Sequence, residues 1–298
     1  VVERADWSSA EDRAAIDAAL EDVCVSHRRY LRAPVDEAVE YSLLGGGKRL
    51  RGLLLLAAYA AAGGRGDASR LGAAVEIVHA YSLIHDDLPC MDDEATRRGR
   101  PTVHVAFGVA AATAAGLAMV PLAVSCAADA ARGLQLPDNA TVGIVTELMQ
   151  ASGAGGMIGG QLLDLEAEGR EISLSELEQI HLRKTGALIA ASAQVGAIAA
   201  GAPAAQQDAL RQFGTAVGLA FQIADDVLDV TGTTSQLGKT AGRDLALRKS
   251  TYPALLGVPG ATRRADALAS SACEALRAAG LLTPSLERLA RFAVERRA

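Results

Sequence analysis

Two apolar runs that each end in a cluster of aspartates place the strongest constraint on how this chain can fold. Val75 to Ile84 leads into Asp86-Asp87-Leu88-Pro89-Cys90-Met91-Asp92, and Gly218 to Ala224 leads into Asp225-Asp226-Val227-Leu228-Asp229. Acidic side chains normally belong on solvated faces. Doublets at the ends of greasy helices instead suggest carboxylates gathered around divalent cations. A hard cation such as Mg²⁺ takes oxygen ligands and shares them between one or two carboxylates and a substrate phosphate. The expectation is a site for a diphosphate.

The rest of the chain reads as helical. Half of its 298 residues are hydrophobic but only 3% are aromatic, with Ala and Gly supplying much of the apolar share. That favours closely packed helices over a β-sandwich, whose strands prefer β-branched and aromatic residues. Ser8 or Ser9 can cap a helix to about Leu31, and Pro34 opens another that ends at Gly45-Gly46-Gly47. Further runs cover about 49–62, 67–85, 101–132 and 137–166. Ser173 to Glu176 is a capping box for a helix to about Ala199. Another spans about Pro203 to Val230, and two follow Tyr252, the last opened by Thr283-Pro284. Convincing strands are absent. The Gly-, Thr-, Lys- and Arg-rich segment 231–250 has no periodicity and reads as a functional loop, such as a lid. No linker or repeat divides the chain, so a single all-α domain over 1–298 is expected.

Bulk charge excludes some classes. A formal net charge of −6 argues against a general nucleic-acid binder. Val105 to Ala128 lacks charge and is long enough to cross a bilayer. Its Ala, Gly and Val content, Pro121 and missing aromatic flanks favour a buried or subunit-interface helix and no membrane span. Cys24, Cys90, Cys126 and Cys273 are scattered without metal-ligand spacing and read as reduced thiols of a cytoplasmic protein. Val1 to Trp7 is polar and holds three charges, unlike a secretory signal. Because the chain starts at Val1, native residues ahead of it are left open.

Geometry treats the two clusters differently. Asp225 and Asp229 are four apart, so a helix turns both carboxylates the same way. Asp86 and Asp92 are six apart, which a helix would separate. Pro89 disfavours helix at Leu88, and a short turn can return Asp92 towards Asp86. Gly45-Gly46-Gly47-Lys48-Arg49-Leu50-Arg51 sets three cations after glycines at a helix start, a setting that suits an anion. It is not a Walker loop, because Arg49 stands where Ser or Thr would hold Mg²⁺. Arg97-Arg98-Gly99-Arg100 follows the first aspartates, and guanidinium forks match phosphate oxygens. Pairing of these arginines with Asp92, Asp93 and Glu94 is the plain alternative. His79 alone reads as a core histidine. Lys184-Thr185, Gln222, Lys239 and Lys249 add polar groups in the second half. No Ser-His-Asp, Cys-His or zinc constellation is present.

Seven segments in order carry a family resemblance. "GGGKRLR", "HAYSLIHDDLPCMDDEATRRGRPTVH", "MIGGQLLDL", "HLRKTGAL", "FQIADDVLDVTG", "LGKTAGRD" and "KSTYPALLG" resemble the motif set of trans-isoprenyl diphosphate synthases over about residues 40 to 257. The two extra residues inside the first aspartate motif are similar to the bacterial short-chain farnesyl type. The resemblance implies an all-α bundle around a deep central cavity, in a homodimer. By motif, Asp86 and Asp92 would bind two Mg²⁺ and Asp225 a third, supported by Asp87, Asp226 and Asp229. Arg97, Lys184, Lys249, Gln222 and Lys239 would hold the allylic diphosphate. Gly47, Lys48, Arg51, His79 and Arg98 would hold isopentenyl diphosphate, and Thr185 and Gln222 would offer oxygen dipoles to an allylic cation.

Head-to-tail condensation to farnesyl diphosphate is the implied reaction, with geranylgeranyl diphosphate as the alternative product. A class I terpene cyclase would not need Lys48, Arg51, His79 and Arg98, and a non-catalytic subunit would not need both aspartate clusters. Tyr81 and Ser82, five and four residues before Asp86, lie roughly one turn deeper. A bulky Tyr81 beside a small Ser82 resembles the fifteen-carbon type. Val109 and Leu117 replace a Glu and an Asp of the family pattern, which bears on product length more than on reaction type.

Overall fold

The computed structural model describes residues 10–232 and 250–295. Helix starts follow caps written in the sequence. Ser173 accepts from Glu176 N while the Glu176 carboxylate accepts from Ser173 N, the reciprocal pair expected there. Thr283 accepts from Leu286 N, with Pro284 at the first helical position. In chain order the helices are α1 (Ala10–His27), α2 (Val35–Leu43), α3 (Leu50–Ala61), α4 (Ser69–Asp86), α5 (Val103–Phe107), α6 (Val109–Gly133) and α7 (Asp138–Ser152). They continue as α8 (Met157–Ala167), α9 (Leu174–His181), α10 (Ala187–Ala199), α11 (Ala204–Thr231), α12 (Tyr252–Ala278) and α13 (Pro284–Val294). The architecture is all-α. The described strands are a two-residue hairpin, β1 (Thr96–Arg97) with antiparallel β2 (Arg100–Pro101).

Burial explains the order of layers. α4 packs against α1, α2, α3, α6 and α10, and its apolar residues are buried on every side. α10 is enclosed by α3, α7 and α11. Small residues let these rods touch at the backbone. A Cβ on Gly196 of α10 would sit 2.4 Å from Leu55 O of α3, and one on Gly214 of α11 would sit 2.8 Å from Ala190 Cα. A smaller apolar cluster, including Leu177, Ile223, Tyr252 and Ala265, joins α9, α11 and α12. α6 is long and apolar enough to cross a bilayer. One side of it, including Ala115, Met119 and Ala123, is buried where α6 packs on α4, α2 and α7, while Val109 and Leu117 stay exposed.

Three expected helices are interrupted. The run at 101–132 breaks at Gly108, whose φ of +86° suits glycine alone. The run at 137–166 breaks at residues 153–156, where a Cβ on Gly156 would lie 2.1 Å from Ala151 O. The run at 173–199 passes through a wide π turn, Leu182–Gly186. The loop expected at 231–250, with Lys239 and Lys249, falls almost wholly outside the described residues, as do Ser8 and Ser9.

Replacing Gly196 with Ala forces α10 away from α3 and should cost on the order of 1–3 kcal/mol. Urea denaturation should show a lower midpoint at unchanged slope.

Candidate active site

The first aspartate cluster is a helix end that folds back on itself. α4 stops at Asp86 with Asp87 as its cap, and Pro89 prevents continuation. Asp92 N donates to Asp86 O at 2.8 Å and Met91 N to Leu88 O at 2.9 Å, so the turn returns Asp92 to the level of Asp86. Asp86 is half-buried at the apolar end of α4, and its loss of hydration pushes its carboxyl up to about 6, with Asp92 and Asp87 adding repulsion and Lys184 opposing. Asp87 has a different environment. It is 3% exposed and takes Arg97 side-on, Nε lying 2.9 Å from both carboxylate oxygens and Nη2 2.5 Å from Oδ1. The pairing considered for the arginines thus exists, but its acid is Asp87.

The second cluster splits by helix geometry. Successive residues on α11 are about 100° apart, so Asp226 cannot share the face of Asp225. Asp226 is buried; its Oδ2 accepts from Tyr252 N at 3.0 Å and lies 3.4 Å from His181 Nε2. The His181 ring stacks on Tyr252 at 5.7 Å. Asp226 therefore ties α9 and α12 to α11. Asp229 is also buried, and Asp225 is half-exposed. Gln222 lies one turn before Asp225, also half-exposed.

Lys184 and Thr185 sit in the π turn, an irregularity often found at functional sites. Gly160 lets α8 come close, since a Cβ there would be 2.1 Å from Lys184 N. Lys184 Nζ donates to Asp164 Oδ2 at 2.6 Å while also lying within electrostatic reach of Asp86. The neighbouring Gln161 is 7% exposed, and neither of its amide atoms has a hydrogen-bond partner among the described residues.

Cations gather opposite. The Arg98 guanidinium lies over Gly47 and donates to Gly46 O, at a position only glycine leaves open. Lys48 Nζ stands 5.4 Å from the centre of the Phe292 ring on α13. Burial lowers the pKa of Arg51, Arg98 lowers it further, and Glu76 and Asp225 oppose. Burial also holds His79 well below its ordinary range, followed by the charges of Arg51, Arg98, Arg97 and Arg49. Arg51 and Arg98 thus repel each other and hold the neighbouring His79 neutral, a group whose natural complement is an anion. Asp225 lies within the field of Arg51 and Lys184 within that of Asp86, so residues from the two halves of the chain act on one another electrostatically.

The donor set fits a hard cation. Asp86 and Asp92 offer oxygen only, and the raised carboxyl of Asp86 marks negative charge that the protein leaves partly uncompensated. Among the described residues no three His, Cys, Asp or Glu side chains converge as a complete cage. A larger cleft of about 770 Å³ lies elsewhere, between α7, residues 153–156 and Arg211, and carries no aspartate of either cluster.

Tyr81 is 4% exposed and meets His85 edge-on at 5.6 Å; burial and then Asp86 push its phenol up to about 12. Ser82 Oγ donates to His79 O at 2.8 Å. Asp164, Gln161 and His181 went unassigned in the sequence although they stand inside quoted motifs. Phe292 had no signal there, because only the packing of α13 brings it to Lys48.

Comparison with known proteins follows the same residues. The polyprenyl synthetase family profile matches residues 32–277. The farnesyl diphosphate synthase of Escherichia coli is 46% identical over 274 residues, 90% of this chain and 91% of that protein. The solved geranylgeranyl pyrophosphate synthetase of Pyrococcus horikoshii superposes with a TM-score of 0.83 at 31% identity, covering 96% of this chain and 97% of the other. A Helicobacter pylori geranyltransferase, solved with magnesium and isoprenyl diphosphate, gives a TM-score of 0.77 at 30% identity, covering 96% and 97%.

The Asp86 carboxyl makes a signed prediction. Its pKa is raised in the folded state, so its contribution to stability is present below the unfolded value near 3.8 and is lost as pH rises through about 6. Without divalent cations, Asp86→Asn should therefore be more stable than wild type at pH 7.5 by on the order of 2 kcal/mol, and about equal at pH 4. Chemical denaturation at the two pH values checks this.

Proposed function

The chain belongs to the polyprenyl synthetase family, and we propose that it condenses isopentenyl diphosphate head-to-tail with dimethylallyl and geranyl diphosphates to give farnesyl diphosphate. The observation that carries the reading is the pairing of two carboxylate clusters with a separate basic group, in which Arg51 and His79 are half-buried and Lys48 and Arg98 exposed. One diphosphate is served by the aspartates with Arg97 and Lys184, the other by Lys48, Arg51, His79 and Arg98. Gly47 keeps the floor beneath Arg98 open, and Lys239 and Lys249 belong with the allylic diphosphate.

Asp86 and Asp92 would hold two Mg²⁺ ions and Asp225 a third, with Asp87, Asp226 and Asp229 in support. Bound there, the ions would neutralise charge on the departing diphosphate. Arg97 stays aligned through Asp87, and Lys184 through Asp164, so that both meet that charge preorganised. The allylic C1–O bond breaks with its electron pair leaving on diphosphate. The double bond of isopentenyl diphosphate then forms the new C–C bond, and the released diphosphate takes the proton that restores a double bond. Thr185 and Gln222 turn oxygen dipoles to the intervening allylic cation. Nothing in this sequence needs a covalent enzyme intermediate, in keeping with the missing nucleophile.

A terpene cyclase is less well supported because it has no use for the second cation group. A non-catalytic subunit is less well supported because both aspartate clusters are intact. The exposed Val109 and Leu117 side of α6 supports a homodimer. The geranylgeranyl product remains the second reading, since relatives with that activity also match closely.

Incubation with Mg²⁺, isopentenyl diphosphate and each allylic primer, followed by product sizing, should give a fifteen-carbon diphosphate. No condensation would sink the synthase reading; a dominant twenty-carbon product would reject only the farnesyl assignment. With Tyr81 as the cavity floor, Tyr81→Ala should lengthen the main product by at least one five-carbon unit. An unchanged product would remove Tyr81 from that role and direct attention to Leu117.

A further inference from the structure

Arg49 stands between Lys48 and Arg51 but is held in a different environment. Its backbone is left-handed, with φ of +52°, an uncommon state for a residue with a side chain. That bend separates the guanidinium from its neighbours and sends it inward, where it is 6% exposed. Nε donates to Asp17 Oδ1 of α1 at 2.7 Å and Nη2 to Leu43 O at the end of α2 at 2.8 Å. Nη1 faces Glu76 Oε2 of α4 at 4.0 Å. Glu76 is itself 3% exposed, and its other oxygen accepts from Gly52 N in the first turn of α3 at 3.0 Å. Glu76 also lies one turn before His79 and within the field of Arg51.

A buried carboxylate that accepts from Gly52 N, one residue beyond Arg51, is a rival to any phosphate for that guanidinium. Left without a partner, Glu76 would take Arg51 as its counter-ion. We propose that Arg49 is a positioning residue for the isopentenyl diphosphate site. It neutralises Glu76, anchors the start of α3 to α1, α2 and α4, and so leaves Arg51 and His79 to the substrate. Arg49 itself touches no substrate. The inference rests on the synthase reading, since it names the second diphosphate as the anion kept from competition.

Kinetics and binding can separate these roles. Arg49→Met should raise KM for isopentenyl diphosphate about tenfold while KM for geranyl diphosphate and kcat stay within about twofold. Adding Glu76→Gln, which keeps an acceptor for Gly52 N but removes the charge, should bring that KM back to within about threefold of wild type. Arg49→Lys keeps a charge near Glu76 but loses the fork to Asp17 and Leu43, and should fall between the two. It also serves where Arg49→Met does not fold, as judged by circular dichroism. Equal losses for both substrates, or no recovery in the double variant, would overturn the proposal. Calorimetric titration with isopentenyl diphosphate runs in parallel. A wild type that binds it but forms no product defeats the synthase reading and leaves the Arg49 comparison readable from affinity alone. A wild type that neither binds nor condenses overturns both.

Discussion

Opposite charges held apart inside an apolar bundle govern this structure. Asp86 and Asp92 stand at one helix end, Arg51, His79 and Arg98 near another, and neither set is allowed to consume the other. Charges at such depth are tolerated only when paired. The protein pairs some of them internally, as Asp87 with Arg97 and Asp226 with Tyr252 N and His181. Burial raises the carboxyl of Asp86 and depresses the imidazole of His79, so both groups are held against their charged forms. On the proposed reading, a ligand carrying both metal and phosphate would complete the charge balance. Affinity and charge development are thereby served by the same groups.

Holding that surplus in place requires stiff supports. Helices that meet backbone to backbone, as α10 does with α3 and α11, leave little room for adjustment. Few aromatic side chains are needed, because helix spacing is set by glycine and alanine.

Much of this was legible in the sequence, for reasons that differ by residue. Asp92 returning to Asp86 followed from Pro89, whose effect is local and steric. The capping boxes and the helical class followed from equally local rules. Partner choice was not legible. Asp226 and Asp225 are adjacent letters in one motif, yet one joins α12 through a contact 26 residues away and the other faces Arg51. Arg49 read as one more cation in a basic stretch, because its left-handed bend and its tie to Asp17, 32 residues earlier, exist only in the folded chain. The breaks at Gly108 and residues 153–156 were hidden by apolar patterns that continue through them.

The π turn at 182–186 has a consequence for how this fold can change. One extra residue in that turn is a phase slip that the wide turn absorbs; in a continuous α-helix it would rotate everything after it by about 100°. His181, before the slip, looks towards Asp226, whereas Leu188, Ile189 and Ala191, after it, are indexed into the core. Converting the turn to regular helix at the same chain length would turn the buried face of α10 outward, whereas deleting one residue along with it would keep that face in place. The irregular backbone around Lys184 and the hydrophobic register of the following helix are therefore inherited together. Substitutions alone cannot smooth the one without dismantling the other.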